Sequence, residues 1–391
     1  VTPAARVQAA IEILDTVIAA ANSGGASADK LVAEGLKQRR YAGSKDRRAI
    51  RETIYAAIRA CGPVPASGRA ALLRLAQDDP ELAALFDGSG YGPAAIVPGE
   101  PVAEGGVAPV WLARLLADSG VADAAALLER APLDVRVNAL KADRATIVLP
   151  ERGEPLAAPQ GLRFGAGTPV ESWDAFAEGL VEVQDGGSQL ACLAVAAKPG
   201  ETVIDLCAGA GGKTLALAAA MANEGTLIAA DTNRERLRRL APRAQRAGAR
   251  IAETLLLDPG WEMEVLGPWR GAADAVLVDA PCSGTGTWRR NPEARWRLSP
   301  TEIARYAEVQ GRLLGLAAQL VRPGGRIVFV TCSLLDAEGA EVVTSFLAGH
   351  PDFAAMDAAL PAGAAQGPGW RLSPALSGTD GFFIARMGTT C

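Results

Sequence analysis

"IDLCAGAGGKT", residues 204–214, decides the fold of this chain. An apolar run ends in an acid, Asp205, and opens into Gly209, Gly211 and Gly212 before Lys213 and Thr214. The pattern predicts a strand, a glycine turn and a helix, because glycine lets the backbone turn tightly and approach a ligand closely. A phosphate-gripping loop would read GxxxxGK[ST]. Its first glycine falls here on Cys207, so the ATPase reading fails on spacing. A second acid, Asp231, ends the next apolar run about 20 residues on, where a ribose hydroxyl pair would be held. That geometry suits an adenosine-containing cofactor with no phosphates to grip.

Outward from this stretch the chain alternates. Strands are predicted at 202–206, 226–230, 251–257, 275–279 and 325–331, with helices at 188–197, 213–222, 233–248, 301–321 and 337–348. Such alternation implies a mostly parallel sheet covered on both faces. Residues 380–387 are expected to add an antiparallel edge strand. Ligands bind outside the carboxyl ends of parallel strands. Asp205, Asp231, Asp258, Asp279 and Cys332, each at or just past such an end, should therefore meet in one crevice.

Two short motifs, "DAPCSGTG" (279–286) and "TCS" (331–333), bring Cys282 and Cys332 to the same edge. A lone cysteine is more often a small buried hydrophobe than a nucleophile. Two beside one cofactor crevice, with Asp279 and Lys213 near, point to covalent chemistry. Methylation at carbon 5 of cytosine needs it. A thiolate adding to carbon 6 makes carbon 5 nucleophilic enough to attack a methyl sulfonium, and an acid at the ring nitrogen stabilises the adduct.

Here the chain resembles the Sun/Nop-type, RsmB-like RNA cytosine-5 methyltransferases. The resemblance runs through "VQDGGSQL" (183–190), "DLCAGAGGKT", "DAPCSGTG", "RRNPEARW" (289–296), "TCS" and "DGFF", and covers 134–391. It implies an S-adenosylmethionine-dependent, Rossmann-like α/β domain at 181–391. Before it would come a small α+β RNA-binding subdomain at 131–180, beginning at "VRVNALK" (135–141). An all-α, NusB-like RNA-binding domain would occupy 1–130, carried by the looser match "RRYAGSKDRRAI" (39–50).

The resemblance also implies roles. Cys332 is the nucleophile, Cys282 assists release, Asp279 is the acid at the cytosine ring and Lys213 is the active-site lysine. Cys207, Ala208, Gly209, Ala210, Gly211, Gly212 and Lys213 would face the methionine part of the cofactor, Asp231 the ribose and Asp258 the adenine, with Asp279 close to the methyl donor. The family loop usually carries proline where this chain has Ala210, and alanine loses the fixed φ. The expected substrate is RNA, ribosomal RNA ahead of transfer RNA.

Several segments are weighed for RNA contact. "WRRNPEARWR" (288–297) mixes arginines with two tryptophans. Arginine meets phosphates and tryptophan stacks on splayed bases, so Arg289, Arg290 and Arg295 are candidate RNA contacts. Arg236, Arg239, Arg243, Arg246 and Arg250 share one helical face by their spacing, and are expected to form a solvated outer surface.

Composition narrows the alternatives. The chain has 391 residues, a net charge of −5, and a single histidine, His350, which reads as a surface-loop residue, so a Ser–His–Asp hydrolase is set aside. The acidic balance argues against a protein that coats nucleic acid, though not against a local basic patch. The six cysteines show no CxxC pair, so no metal site is expected. Neither a membrane span nor a secretion signal is expected, and a reducing cytoplasm fits best. A monomer is the default. Competing readings are a small-molecule methyltransferase on the same fold and a catalytically silent RNA-binding assembly factor.

Overall fold

A computed structural model describes residues 1–389. The chain divides into two units: Val1–Glu129 with Thr287–Ser299, and Arg130–Gly286 with Pro300–Cys391.

The first unit is helical. Its main helices are α1 (Pro3–Ser23), α2 (Ala28–Gln38), α3 (Ser44–Ala60) and α4 (Gly68–Ala76). Apolar residues at three and four spacings in α1 and α3 meet in one core, with Leu14, Val17, Ile50, Ile54, Ile58 and Leu72 fully buried. The segment 287–299 joins this core although it lies far along the chain, and it is a departure from the expected boundary at 130. Its Trp288 and Trp296 are buried, Trp296 within the helical cluster.

In the second unit a small antiparallel sheet comes first. Its strands are β1 (Leu133–Val137), β2 (Glu154–Pro155), β3 (Gly161–Phe164) and β4 (Val181–Val183), in the order β2-β3-β1-β4. The expected boundary at 180 falls just before β4, the strand that completes this sheet.

The large sheet comprises β5 (Thr202–Asp205), β6 (Thr226–Asp231), β7 (Glu253–Leu256), β8 (Ala273–Asp279), β9 (Val321–Thr331), β10 (Phe353–Met356), β11 (Ala364–Gln366), β12 (Gly369–Leu372) and β13 (Phe382–Thr389). The order is β11-β12-β13-β9-β8-β5-β6-β7, with β10 also on β13. The strands from β7 to β9 are parallel, and β13 runs antiparallel to β9. Both faces are apolar, as a covered parallel sheet requires. Ala275 and Leu277 of β8 point into one core, Val276 and Val278 into the other. Strand order reverses beside β5, so a crevice opens at the carboxyl ends of β5, β6 and β8.

Two details differ from expectation. β13 is not the edge: β10 and β12 pair with it on the side away from β9. The helix expected over 233–248 is two helices, Arg234–Leu237 and Leu240–Ala247. Pro242 explains the break, since it has no N–H to offer the carbonyl of Arg238.

Candidate active site

The glycine turn is shaped by packing at one position and by open space at two others. Gly211 has φ +88°, and a Cβ there would lie 2.0 Å from Leu240 Cδ1. At Gly209 a Cβ would meet only Arg236 Cδ, at 4.0 Å, and at Gly212 it would meet nothing. A Gly211→Ala variant is therefore expected to lose about 2–4 kcal/mol of stability from strain and overpacking. Gly212→Ala should leave stability within about 1 kcal/mol and weaken cofactor binding instead. Urea unfolding and cofactor titration on both variants check this; equal stability for the two would contradict it.

Asp231 ties the turn to β6. Its Oδ2 accepts from Gly209 N at 2.7 Å and its Oδ1 from Asn233 N at 2.6 Å. Arg243 ties it from the other side, donating to the Ala210 carbonyl at 2.8 Å and to Glu182 at 3.0 Å. Glu182 is buried on β4 and also receives Arg246. This corrects the expectation of a solvated arginine face at two of its five positions: Arg236, Arg239 and Arg250 are exposed, but Arg243 and Arg246 are held by a buried carboxylate, and Arg243 constrains the loop where the family carries proline. The spacing of the arginines was readable, but their partner sits in another element, about sixty residues earlier by chain.

Asp205 is fully buried at the end of β5 and accepts from the Thr214 hydroxyl at 2.6 Å, while its Oδ1 has no hydrogen-bond partner among the described residues. Burial pushes its carboxyl up from 3.8 to about 7, with the nearby Asp279 adding to the shift against the opposing Thr214 bond. Between those values the folded state binds a proton that the unfolded chain releases. Stability is therefore greatest below the lower value and falls as pH rises toward 7, by up to about 4 kcal/mol. Asp205→Asn is expected to flatten that fall, measured as urea unfolding at pH 5 and pH 7. An unchanged slope would sink the assignment.

Lys213, in the first turn of the helix Gly212–Ala220, donates to Asp279 Oδ2 at 2.6 Å. Burial, the largest single influence, would lower its ammonium, but the charge of Asp279, the hydrogen bond to it and the nearby Cys192 and Cys332 together hold its pKa above the ordinary lysine value. The lysine thus stays a cation beside a carboxylate at the end of β8. The two motif cysteines meet here: Cys282 Sγ and Cys332 Sγ are 3.4 Å apart. The contact with Cys332, followed by burial, pushes the Cys282 thiol well up, so Cys282 rests protonated. Cys207 is pushed up as well, by burial first and then by Asp279, Asp205 and Asp231. Asp258 lies exposed past the end of β7, where its carbonyl accepts from Trp261 N at 2.9 Å.

The segment 288–297 does not present its arginines as expected. Arg295 is 0 % exposed and donates to the carbonyls of Ile58 and Cys61, both at 2.7 Å, and to Pro292. Ile58 and Cys61 close the carboxyl end of α3, so the guanidinium satisfies carbonyls that a helix end leaves open. Arg297 does the same at the end of α1, reaching Gly25 O at 2.9 Å and Ala26 O at 2.7 Å. Glu293 accepts from Ala28 N at 3.0 Å, at the amino end of α2, where Ser27 gives no side-chain cap. An acid at a helix start and two cations at helix ends match the helix dipoles. Arg295 is thus a strut of the helical unit, not a surface RNA contact, and Arg289 is buried too. Arg290 is the half-buried one of the three.

A parallel sheet with a glycine turn after β5, an acid ending β6 and open space over Gly209 and Gly212 defines an S-adenosylmethionine-dependent methyltransferase domain. Residues 192–388 match the family described as 16S rRNA methyltransferase RsmB/F, and the chain belongs to that family. A protein of a Synechocystis species named probable ribosomal RNA small subunit methyltransferase B is 37 % identical over 63 % of this chain and 57 % of its own length. A Bacillus subtilis protein of the same name is 33 % identical over 71 % of this chain and 66 % of its own. The chain thus spans less than two thirds of the length of these relatives. Among solved structures, the crystal structure of PH0851 covers 99 % of both chains, with a TM-score of 0.75 and 26 % identity. No helix among the described residues is long and apolar enough to cross a membrane.

Proposed function

We propose that this chain methylates carbon 5 of a cytosine in RNA, and that the RNA is 16S ribosomal RNA. The observation that carries the chemistry is the pair of sulfurs 3.4 Å apart beside the Lys213–Asp279 ion pair. Methyl transfer to an amine or oxygen has no use for two adjacent thiols. The names of the relatives support ribosomal RNA as the substrate.

When bound, S-adenosylmethionine supplies an electrophilic methyl group. Cys332 forms a bond from Sγ to carbon 6 of the cytosine, which places negative charge on the ring and makes carbon 5 nucleophilic. Asp279, protonated when the cytosine is bound, donates to the ring nitrogen where that charge develops. Lys213 holds the Asp279 side chain in place and adds a fixed positive charge. After carbon 5 has gained its methyl group, its proton is removed and the carbon 6–sulfur bond breaks, returning Cys332; Cys282 assists this release. A cytosine in structured RNA must leave its stack to reach such a site. The loop 207–213 and Asp231 hold the cofactor in this reading, with Asp258 on the adenine side. Arg290 remains a candidate RNA contact.

The test is methyl transfer to RNA lacking its own modification, mapped by bisulfite sequencing. The expected result is one new 5-methylcytosine in 16S ribosomal RNA. A methyl group on transfer RNA would move the substrate, and no cytosine methylation at all would overturn the chemistry.

A further inference from the structure

Both cysteines sit on loops, yet their sulfurs are held at contact distance. The residue after each one shows how. Ser283 follows Cys282, and Ser333 follows Cys332. Both hydroxyls donate to one carboxyl group, that of Glu338, with Ser333 Oγ at 2.7 Å. The backbone N–H of Ser283 donates to the other oxygen of the same group at 2.7 Å, and Gln310 Nε2 approaches it at 3.4 Å. Glu338, Gln310 and Ser333 are 0 % exposed.

The web continues through the neighbouring side chains. Thr285 Oγ1 lies 3.1 Å from Ser333 Oγ and accepts from Leu334 N at 2.8 Å. Gln310 Nε2 also holds the Pro281 carbonyl at 3.0 Å, and Gly286 N donates to the Cys332 carbonyl at 2.9 Å. The hydroxyl protons are all placed: Ser283 and Ser333 give theirs to Glu338, and Thr285 gives its own to Ser333. A buried carboxyl group costs stability unless donors surround it. Here the donors come from both cysteine loops, so the cost is offset only when the two loops are brought together.

We propose that Glu338 is the positioning residue that sets the spacing of Cys282 and Cys332, through Ser283 and Ser333. The catalytic part of this inference rests on the cytosine-5 reading above. Glu338 touches no reacting atom; its effect passes through the two loops. Displacement of a reacting group by about 1 Å is enough to cost about 10²-fold in rate.

The spacing itself can be read without RNA. Phenylarsine oxide bridges two neighbouring thiols with loss of water, and intact-mass spectrometry of the full chain counts the bridge. Cys282→Ser identifies the bridge that uses this pair. Wild type is expected to be bridged, and Glu338→Ala to lose bridging while its remaining thiols still react singly with a monofunctional reagent. Its kcat is expected to fall about 10²-fold with KM for S-adenosylmethionine near wild type, because the cofactor loop is untouched. Glu338→Gln, which keeps an acceptor oxygen, should fall between.

If Glu338→Ala does not fold, Ser333→Ala removes one anchor and is expected to lower bridging and kcat together by about tenfold, the scale of one lost charge-assisted hydrogen bond. A folded Glu338→Ala or Ser333→Ala that bridges like wild type overturns the proposal. Loss of bridging in a protein whose wild type methylates no cytosine would keep the positioning role and discard the cytosine reading.

Discussion

Cys332→Ala is expected to abolish methyl transfer, to below about 10⁻³ of wild type, because it removes the sulfur that bonds carbon 6 in the proposed mechanism. Cys282→Ala is expected to behave differently. It should form the bond and release it slowly, so that a protein–RNA species survives a denaturing gel. The asymmetry is that of the proposed mechanism, in which Cys332 bonds carbon 6 and Cys282, with its sulfur 3.4 Å away, assists release. Labelled methyl groups on RNA and the gel band give both readouts at once. Activity above about one hundredth of wild type in Cys332→Ala would remove the covalent step, and an adduct in Cys332→Ala with none in Cys282→Ala would exchange the two roles.

The second large effect concerns stability. Arg295→Ala is expected to destabilise the helical unit by about 3–5 kcal/mol, since it opens a cavity and orphans buried carbonyls. Those carbonyls belong to Ile58, Cys61 and Pro292. Burial lowers the guanidinium pKa to about 10, which leaves it charged at neutral pH. Arg295→Lys should recover less than half of the loss, because one ammonium cannot span the same fork of acceptors. Urea unfolding of the full chain, followed by tryptophan fluorescence, measures this. A loss below about 1 kcal/mol would mean that water satisfies the carbonyls and that the strut is dispensable.

Much of the methyltransferase domain was legible because its signals are local. Each parallel strand is a short apolar run, and β5, β6 and β8 end in an acid. The glycine turn marked where the cofactor site is proposed, and the two cysteine motifs marked the strand ends that bring the two sulfurs together. The strands beyond β13 were missed for the opposite reason. β11 is Ala-Ala-Gln and β12 begins with glycine, so neither shows the alternation that marks a strand. The roles of Arg243, Glu338 and Arg295 were invisible because each is defined by partners elsewhere in the chain. Arg295 in particular sits in a run of arginines and tryptophans that reads as a surface, and its acceptors lie more than 230 residues earlier.

That last separation has a consequence for the order in which the protein is made. The residues that close the ends of α1, α2 and α3 are Arg297, Glu293 and Arg295. A ribosome that has finished residue 129 must add 170 more, through residue 299, before the helical unit has all its parts. At about 5–20 residues per second this is a delay of roughly ten to thirty seconds. Through that interval the emerging helices carry open ends and an unfilled place for Trp296, while β5 to β8 are already being synthesised. These helices thus emerge before the methyltransferase domain and are complete only after much of it has been made.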